Sequence, residues 1–327
     1  MSELPPDVGV LLITYGSPVS LKAPDIAAYL QRVRGGREPD PDLVIEFTRR
    51  YRVIGGSPLI GITRLQAMAL AARLGRPVEI GMRFSEPSIK AGLALLRASG
   101  ARRVIAIVLS PQYSPLLMGG YGRDIDAACV ALGAEAPDVQ VAGAWWDEPA
   151  FIDALAGRVG SGLDELADED RTEASVLLTA HSLPRRVAEQ EPDYVDQLRA
   201  TASAVAAAAG LRPDQWQFCW QSAGHEPGEW MKPDLVDIVA ELGDAGRRSI
   251  LVVPVQFLAD HLEVLYDIDV GAREQAEARG VSFRRIRSLN DDTAFIEALA
   301  AVAARTYSAQ PAEHGNGPLS ASRPVTA

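Results

Sequence analysis

The sequence predicts an α/β protein of two Rossmann-like lobes, each with a four-stranded parallel sheet flanked by helices. Three observations carry that expectation. Apolar runs of strand length alternate with longer amphipathic segments along nearly the whole chain. The runs are continuous in Val, Ile and Leu, as strands covered on both faces require. The 327 residues exceed what a single hydrophobic core comfortably fills.

In chain order, the first four strands are expected at Val8–Tyr15, Val78–Met82, Arg103–Pro111 and Val139–Trp146. Between them, apolar residues recur every three to four positions over Arg64–Leu74 and Pro87–Ala98, which predicts helices. The second half repeats the rhythm with strands at Ala174–His181, Trp216–Gln221, Ser249–Phe257 and Val281–Leu289. Its helices are expected at Phe151–Leu166, Val187–Ala209, Lys232–Leu242, Ala259–Ala278 and Asp292–Tyr307. Eight strands could close one barrel. However, Asp147-Glu148-Pro149 follows the fourth strand and opens a new helix, dividing the strands evenly. The expected division is therefore 1–147 and 148–290 for the two lobes, with a terminal helix at 291–307 packing back on the body. From 308 to 327 the chain is rich in Pro, Gly, Ala and Ser without apolar periodicity, and a disordered tail is expected.

Composition excludes several function classes. The net charge of −11 has no Lys/Arg block to offset it, so wrapping a nucleic-acid backbone is a poor fit. No apolar run approaches the roughly 18 residues of a transmembrane segment, and the acidic, proline-containing start does not read as a signal peptide. Cys129 and Cys219 form no CxxC and cannot supply a four-thiolate cluster or zinc site. Reduced thiols in the cytoplasm are the simplest reading.

Ligands of open parallel sheets bind outside the carboxyl ends of the strands. Polar residues stand there repeatedly: Thr14, Tyr15 and Gly16; Ser110, Gln112, Tyr113 and Ser114; His181; Gln221 and Ser222; and Asp260, His261 and Glu263. Of the four histidines, His225 falls in a Gly/Pro-rich loop and His314 in the tail. His181 and His261 remain at strand ends, where imidazole suits proton transfer near neutrality. In an α-helix Asp260, Glu263 and Asp267 would share one face. That face is either a solvated acidic surface or, bordering the cleft, a place to receive a divalent cation or accept protons. HExxH, GxxxxGK[ST] and a helix-opening GxGxxG are all missing.

These segments together resemble the ferrochelatases. The resemblance rests on GVLLITYGSP (9–18), RVRGGREPDPDL (32–43), RRYRVIGGSPL (49–59), TAHSLP (179–184), YVDQL (194–198), WQSAG (220–224) and PVQFLADHLEVLYDID (254–269). It implies a chelatase-like fold with a porphyrin clamped between the lobes, distorted so that pyrrole lone pairs meet incoming Fe²⁺. It further implies His181 as the catalytic histidine, Glu263 as its acidic partner and Asp267 as an extension of the carboxylate path. His181, Glu263, Asp267 and Tyr15 are the residues implied to meet the metal. Tyr15 is similar to the coproporphyrin III branch of the family, which tends to carry tyrosine where protoporphyrin enzymes carry methionine. Arg34, Arg50, Ser57 and Tyr121 resemble the family's propionate contacts, and Trp230 joins them as an implied porphyrin contact. Arg forks and hydroxyls are what carboxylates need.

By this resemblance Fe²⁺ is a substrate, no further cofactor is required, and no Fe–S cluster is expected with two cysteines. A coprohaem decarboxylase downstream would be a transient docking partner. Gly35 stands where relatives often add a basic residue and Gly271 where they add an acidic one, so the resemblance does not extend to a peripheral Mg²⁺ site. The other readings are a protoporphyrin IX ferrochelatase, a cobalt- or nickel-inserting chelatase, and a non-catalytic haem-binding protein of the same fold. A carrier would have no need of the His181–Glu263 pair.

Overall fold

The computed structural model describes residues 4–224 and 228–309. His225, His314 and the expected tail beyond 309 lie outside the described residues. Among the described residues eight strands form two separate four-stranded parallel sheets, which removes the barrel. The first sheet holds β1 (Val8–Thr14), β2 (Val78–Met82), β3 (Arg103–Val108) and β4 (Asp138–Val141) in the order β2-β1-β3-β4. The second holds β5 (Ser175–His181), β6 (Trp216–Gln221), β7 (Ser249–Pro254) and β8 (Ser282–Arg285) in the order β6-β5-β7-β8. The second lobe thus repeats the topology of the first.

The helices are α1 (Ala23–Val33), α2 (Pro41–Val53), α3 (Leu59–Leu74), α4 (Ile89–Ala98), α5 (Pro115–Leu132), α6 (Pro149–Asp164) and α7 (Asp168–Arg171). They continue with α8 (Arg185–Gln190), α9 (Pro192–Ala208), α10 (Leu235–Asp244), α11 (Arg273–Glu277) and α12 (Thr293–Ser308). A π-helix over Glu263–Ala272 runs directly into α11.

Alternation along each central strand divides the core into layers. Val10 and Leu12 of β1 face one way and Leu11 and Ile13 the other; the second set packs with α4 and α5. In the second lobe Val176, Leu178, Leu251 and Val253 share the core of Val10 and Leu12, whereas Leu177, Ile250 and Val252 pack toward α10 and the π-helix. Helices α3, α6, α9 and α12 fill the shared layer. The terminal helix α12 packs on α6, α3 and β3, with Asp292 as its N-cap.

Several expected boundaries move for local reasons. The span 187–209 splits at Pro192, which lacks the N–H a continuous helix needs, into α8 and α9. The helix expected from Lys232 starts at Leu235, because Pro233 precedes an Asp234 N-cap whose carboxylate accepts from the Val236 N–H. Strands β3, β4, β7 and β8 end before their apolar runs do, since the runs continue into buried loops beyond the sheet edge. Helices α1, α2 and α5 lie outside the expected elements, although Ile26, Tyr29, Leu30 and Val33 of α1 do recur at helical spacing. The starts of α2 and α5 are legible as well: Asp40-Pro41 and Ser114-Pro115 each place a capping side chain before a proline in the first turn.

The largest correction concerns 259–278. This stretch is not one α-helix with Asp260, Glu263 and Asp267 on one face. Asp260 lies before the helix, and residues 263–272 close i→i+5 turns, which widen the coil. Asp260 is turned instead to Arg285, Ser288 and Asn290.

Candidate active site

The site is assembled from the carboxyl ends of both sheets. On the second lobe, β5 ends at His181, and the loop after β7 delivers His261 and Glu263. His181 Nε2 lies 3.7 Å from Glu263 Oε1, and His261 Nε2 lies 3.6 Å from Oε2 of the same carboxylate. Each imidazole engages a backbone carbonyl through Nδ1: His181 that of Ser182 at 2.5 Å, His261 that of Ala259 at 2.9 Å. A carbonyl only accepts, so both Nδ1 atoms carry hydrogen and both Nε2 atoms face Glu263. Phe257 packs edge-on against both rings and fixes their spacing.

The backbone around His181 is equally held. Its N–H donates to Gln256 Oε1 at 2.8 Å, and Gln256 donates onward to the Tyr194 hydroxyl at 2.6 Å. Burial alone would raise the Glu263 carboxyl, but the electrostatic influence of the neighbouring His181 and the hydrogen bond and charge of His261 outweigh it and hold it at about 2. Burial would lower His261, yet its bond to Glu263 raises it overall. The Glu263 side chain remains 38% exposed, opening onto the cleft. Asp267 is raised by burial and by the nearby Glu263 charge, against the opposing pull of Ser222 and Arg50.

On the first lobe, Tyr15 follows β1 with its ring edge-on to Phe84 at 4.6 Å. Gly16 beside it has a positive φ of 96°, and a Cβ there would meet Ser85 Oγ at 2.3 Å. Only glycine fits this turn. Burial first, then the Glu263 charge, pushes the Tyr15 phenol up to about 12, so it stays protonated at neutral pH and senses the acid of the opposite lobe. Arg83 is an addition that motif reading does not supply. Its guanidinium lies over the rings of Phe84 (4.7 Å) and Tyr121 (5.0 Å), pairs with Asp124 at 2.8 Å, and opposes the rise at Tyr15. Only its position directly after β2 could have pointed to it.

The other expected contacts divide. Arg50 on α2 bridges the lobes, 3.3 Å from Asp267 and 2.8 Å from Glu46, while Arg49 hydrogen-bonds the Tyr266 hydroxyl. Arg34 is exposed at the end of α1. The Ser57 hydroxyl accepts from the Leu59 N–H at 3.4 Å at the start of α3. Tyr121 is only 7% exposed and sits in the core beneath Arg83, not open to the cleft. Trp230 pairs with Pro184 just after His181 and lines a cavity of about 840 Å³ whose walls do not include His181 or Glu263. Among the described residues no group of three or more His, Cys, Asp or Glu is gathered as a metal cage.

A structural likeness supports the fold: the SirB protein of Bacillus subtilis, solved with Fe³⁺, superposes with a TM-score of 0.57 at 14% identity, covering 92% of this chain and 96% of that one. A relative named ferrochelatase in Deinococcus radiodurans is 38% identical over 91% of this chain and 95% of its own length. Proteins named coproporphyrin III ferrochelatase in Geobacillus thermodenitrificans and Bacillus subtilis are 35% and 33% identical, over 94% and 90% of this chain and 98% and 96% of their own lengths. The ferrochelatase family model matches residues 7–307. The chain belongs to the ferrochelatase family, lyases that insert Fe²⁺ into a porphyrin.

Proposed function

We propose that this enzyme metallates coproporphyrin III, binding the macrocycle between Tyr15 on one lobe and His181–Glu263 on the other. The observation that carries the reading is that pairing: a histidine Nε2 backed by a carboxylate on one wall, and a neutral phenol on the facing one. Insertion replaces two pyrrole N–H protons by bonds to Fe²⁺, so two protons must leave. His181 Nε2 accepts the two pyrrole protons in succession, the Glu263 charge stabilising each imidazolium that forms before its proton is released toward solvent. Asp267, with its raised carboxyl, continues the path toward α2 and solvent. Tyr15, protonated, presents a phenol oxygen to the metal from the other face. Porphyrin binding energy supports the distortion of the ring. Fe²⁺ enters as substrate, and the chemistry calls on no other cofactor.

Four propionates on the substrate require several donors: Arg34 and Ser57 are candidates by the resemblance, and Arg83 would have to exchange Asp124 for a propionate. Arg50 would have to exchange Asp267 or Glu46 for a propionate. The product keeps its propionates and would pass to a decarboxylating enzyme in the cytoplasm. No helix among the described residues is long and apolar enough to cross a membrane. The test offers Fe²⁺ anaerobically with coproporphyrin III and protoporphyrin IX in parallel. A propionate that is missing from the substrate forfeits a charge-assisted hydrogen bond worth roughly 1.5–3 kcal/mol, about one to two decades in kcat/KM. A higher kcat/KM for coproporphyrin III is expected; preference for protoporphyrin IX in detergent-free buffer would overturn the substrate reading.

A further inference from the structure

The segment 258–260 leads directly into His261 and Glu263, and one residue outside it engages it with its N–H and both ends of its side-chain amide. Asn290 follows β8 with a φ of 46°, in the left-handed region that asparagine tolerates better than other side-chain-bearing residues. Its N–H donates to the Leu258 carbonyl at 2.9 Å, and its Oδ1 accepts from the Asp260 N–H at 2.9 Å. Its Nδ2 donates to Asp260 Oδ2 at 3.0 Å. Its carbonyl accepts from Gln66 Nε2 of α3, on the other lobe, at 2.7 Å. Gln66 is fully buried, so the link is built into the interior.

Asp260 is also fixed from a second direction. Its carboxylate accepts from Ser288 at 2.7 Å and pairs with Arg285 at 3.2 Å. Arg285 is mostly buried and binds Asp269, in the middle of the π-helix, through two hydrogen bonds of 2.9 and 2.8 Å. One guanidinium therefore ties together the approach to Glu263 and the helix that follows it. With three donors satisfied, Asp260 is a structural anion rather than a proton relay.

We propose that Asn290, with Arg285 behind it, is a positioning residue that holds His261 and Glu263 in register with His181 and ties that register to the first lobe through Gln66. The backbone between Asp260 and Glu263 is too short to absorb a displaced anchor. An ångström-scale misplacement of catalytic groups can cost up to two decades in rate. This inference rests on the proposed roles of His181 and Glu263.

Asn290→Gly keeps the positive φ and deletes only the side-chain bonds. It should lower kcat roughly ten- to a hundred-fold while the porphyrin Kd from fluorescence quenching and the urea midpoint stay near wild type. Arg285→Lys, which retains a cation, should recover part of the kcat that Arg285→Met gives up. Should Asn290→Gly not fold, the Arg285 pair decides the same question. Wild-type kcat in Asn290→Gly would overturn the proposal. So would a fall in kcat matched by equal falls in porphyrin affinity and stability, or failure of both sites' variants to fold, since each marks a role in the fold. An active His181→Ala would instead sink the reading of the site, whatever Asn290→Gly does.

Discussion

Glu263 is where two opposing effects meet, burial raising its carboxyl and two imidazoles lowering it, and the imidazoles win. The pH dependence follows with a definite sign. Glu263 is held below its ordinary 4.5, so its contribution to stability is complete above 4.5 and is lost as pH falls toward about 2. His261 is held above its ordinary 6.5, so its contribution is complete below 6.5 and is lost as pH rises through the folded-state value. The pair therefore stabilises the native state most between those limits. Glu263→Gln should be less stable than wild type by the largest margin at about pH 5.5, with the gap closing toward about pH 2 and narrowing in alkali. Urea midpoints across that range check it, and a pH-independent gap would be inconsistent with the ion pair. His181→Ala should lower kcat by roughly two to four decades, the usual worth of a positioned proton acceptor, while porphyrin still binds. Turnover and fluorescence titration of the folded variant measure both.

Elements are unevenly legible in the sequence, and the reasons are physical. Strands buried on both faces, such as β1 and β5, announce themselves as unbroken apolar runs, and His181 is found because it ends one. Helices α1 and α2 bury a narrower face, Ile26, Tyr29, Leu30 and Tyr51 against Leu262 of the other lobe; Ile26, Tyr29 and Leu30 do recur at helical spacing, but the Gly- and Pro-rich stretches on either side read as loop. The π-helix is invisible to a reading built on α-helical spacing, so that spacing groups Asp260 with the wrong partners. Arg83 and Asn290 escape because their importance is tertiary: one stacks on Tyr121 of α5, the other binds back to 258–260.

Two glycines test how elements pack. A Cβ at Gly92 of α4 would come within 2.6 Å of the Ile80 backbone oxygen on β2, which cannot move aside. Overpacking there costs about 1–3 kcal/mol against a helix-propensity gain of about 1. A Cβ at Gly120 of α5 would meet the Arg83 guanidinium at 1.7 Å, but that is the end of a flexible side chain. Its displacement breaks an ion pair worth up to about 1 kcal/mol and cation–π interactions of similar size, about half of which the helix gain offsets. Gly92→Ala should therefore lower Tm without touching the cleft, whereas Gly120→Ala should lower Tm by only a few degrees and also weaken porphyrin binding by dislodging Arg83. Calorimetry and fluorescence titration separate the two outcomes.

At the scale of the whole molecule, the lobes that the sequence rhythm separates at 147/148 are not separately packed. Val10, Leu12, Ile105 and Ile107 of the first sheet share one continuous apolar layer with Val176, Leu178, Leu251 and Val253 of the second. Helix α12, last in sequence, lies in that layer against α3 of the first lobe and α6 of the second. Polar stitches reinforce it: Gln112 Nε2 donates to Thr201 Oγ1 at 3.0 Å, and the Tyr113 N–H donates to Gln197 Oε1 at 2.8 Å, both onto α9. Removing either lobe would expose the apolar inner face of the other to water, at roughly 25 cal/mol for each Å² uncovered. A lone first lobe would also leave the buried side-chain amides of Gln66 and Gln112 without the partners they bind on the second. Heat or urea should therefore unfold the chain in one transition, with van't Hoff and calorimetric enthalpies equal. A fragment of residues 1–147, which lacks α6 and α12, should fail to give a cooperative melt. Two resolved calorimetric peaks, or a soluble fragment melting sharply on its own, would show that the lobes hold independent cores. The cleft between them would then be a hinge, not the rigid seam on which Tyr15 and the His181–Glu263 pair depend to stay face to face.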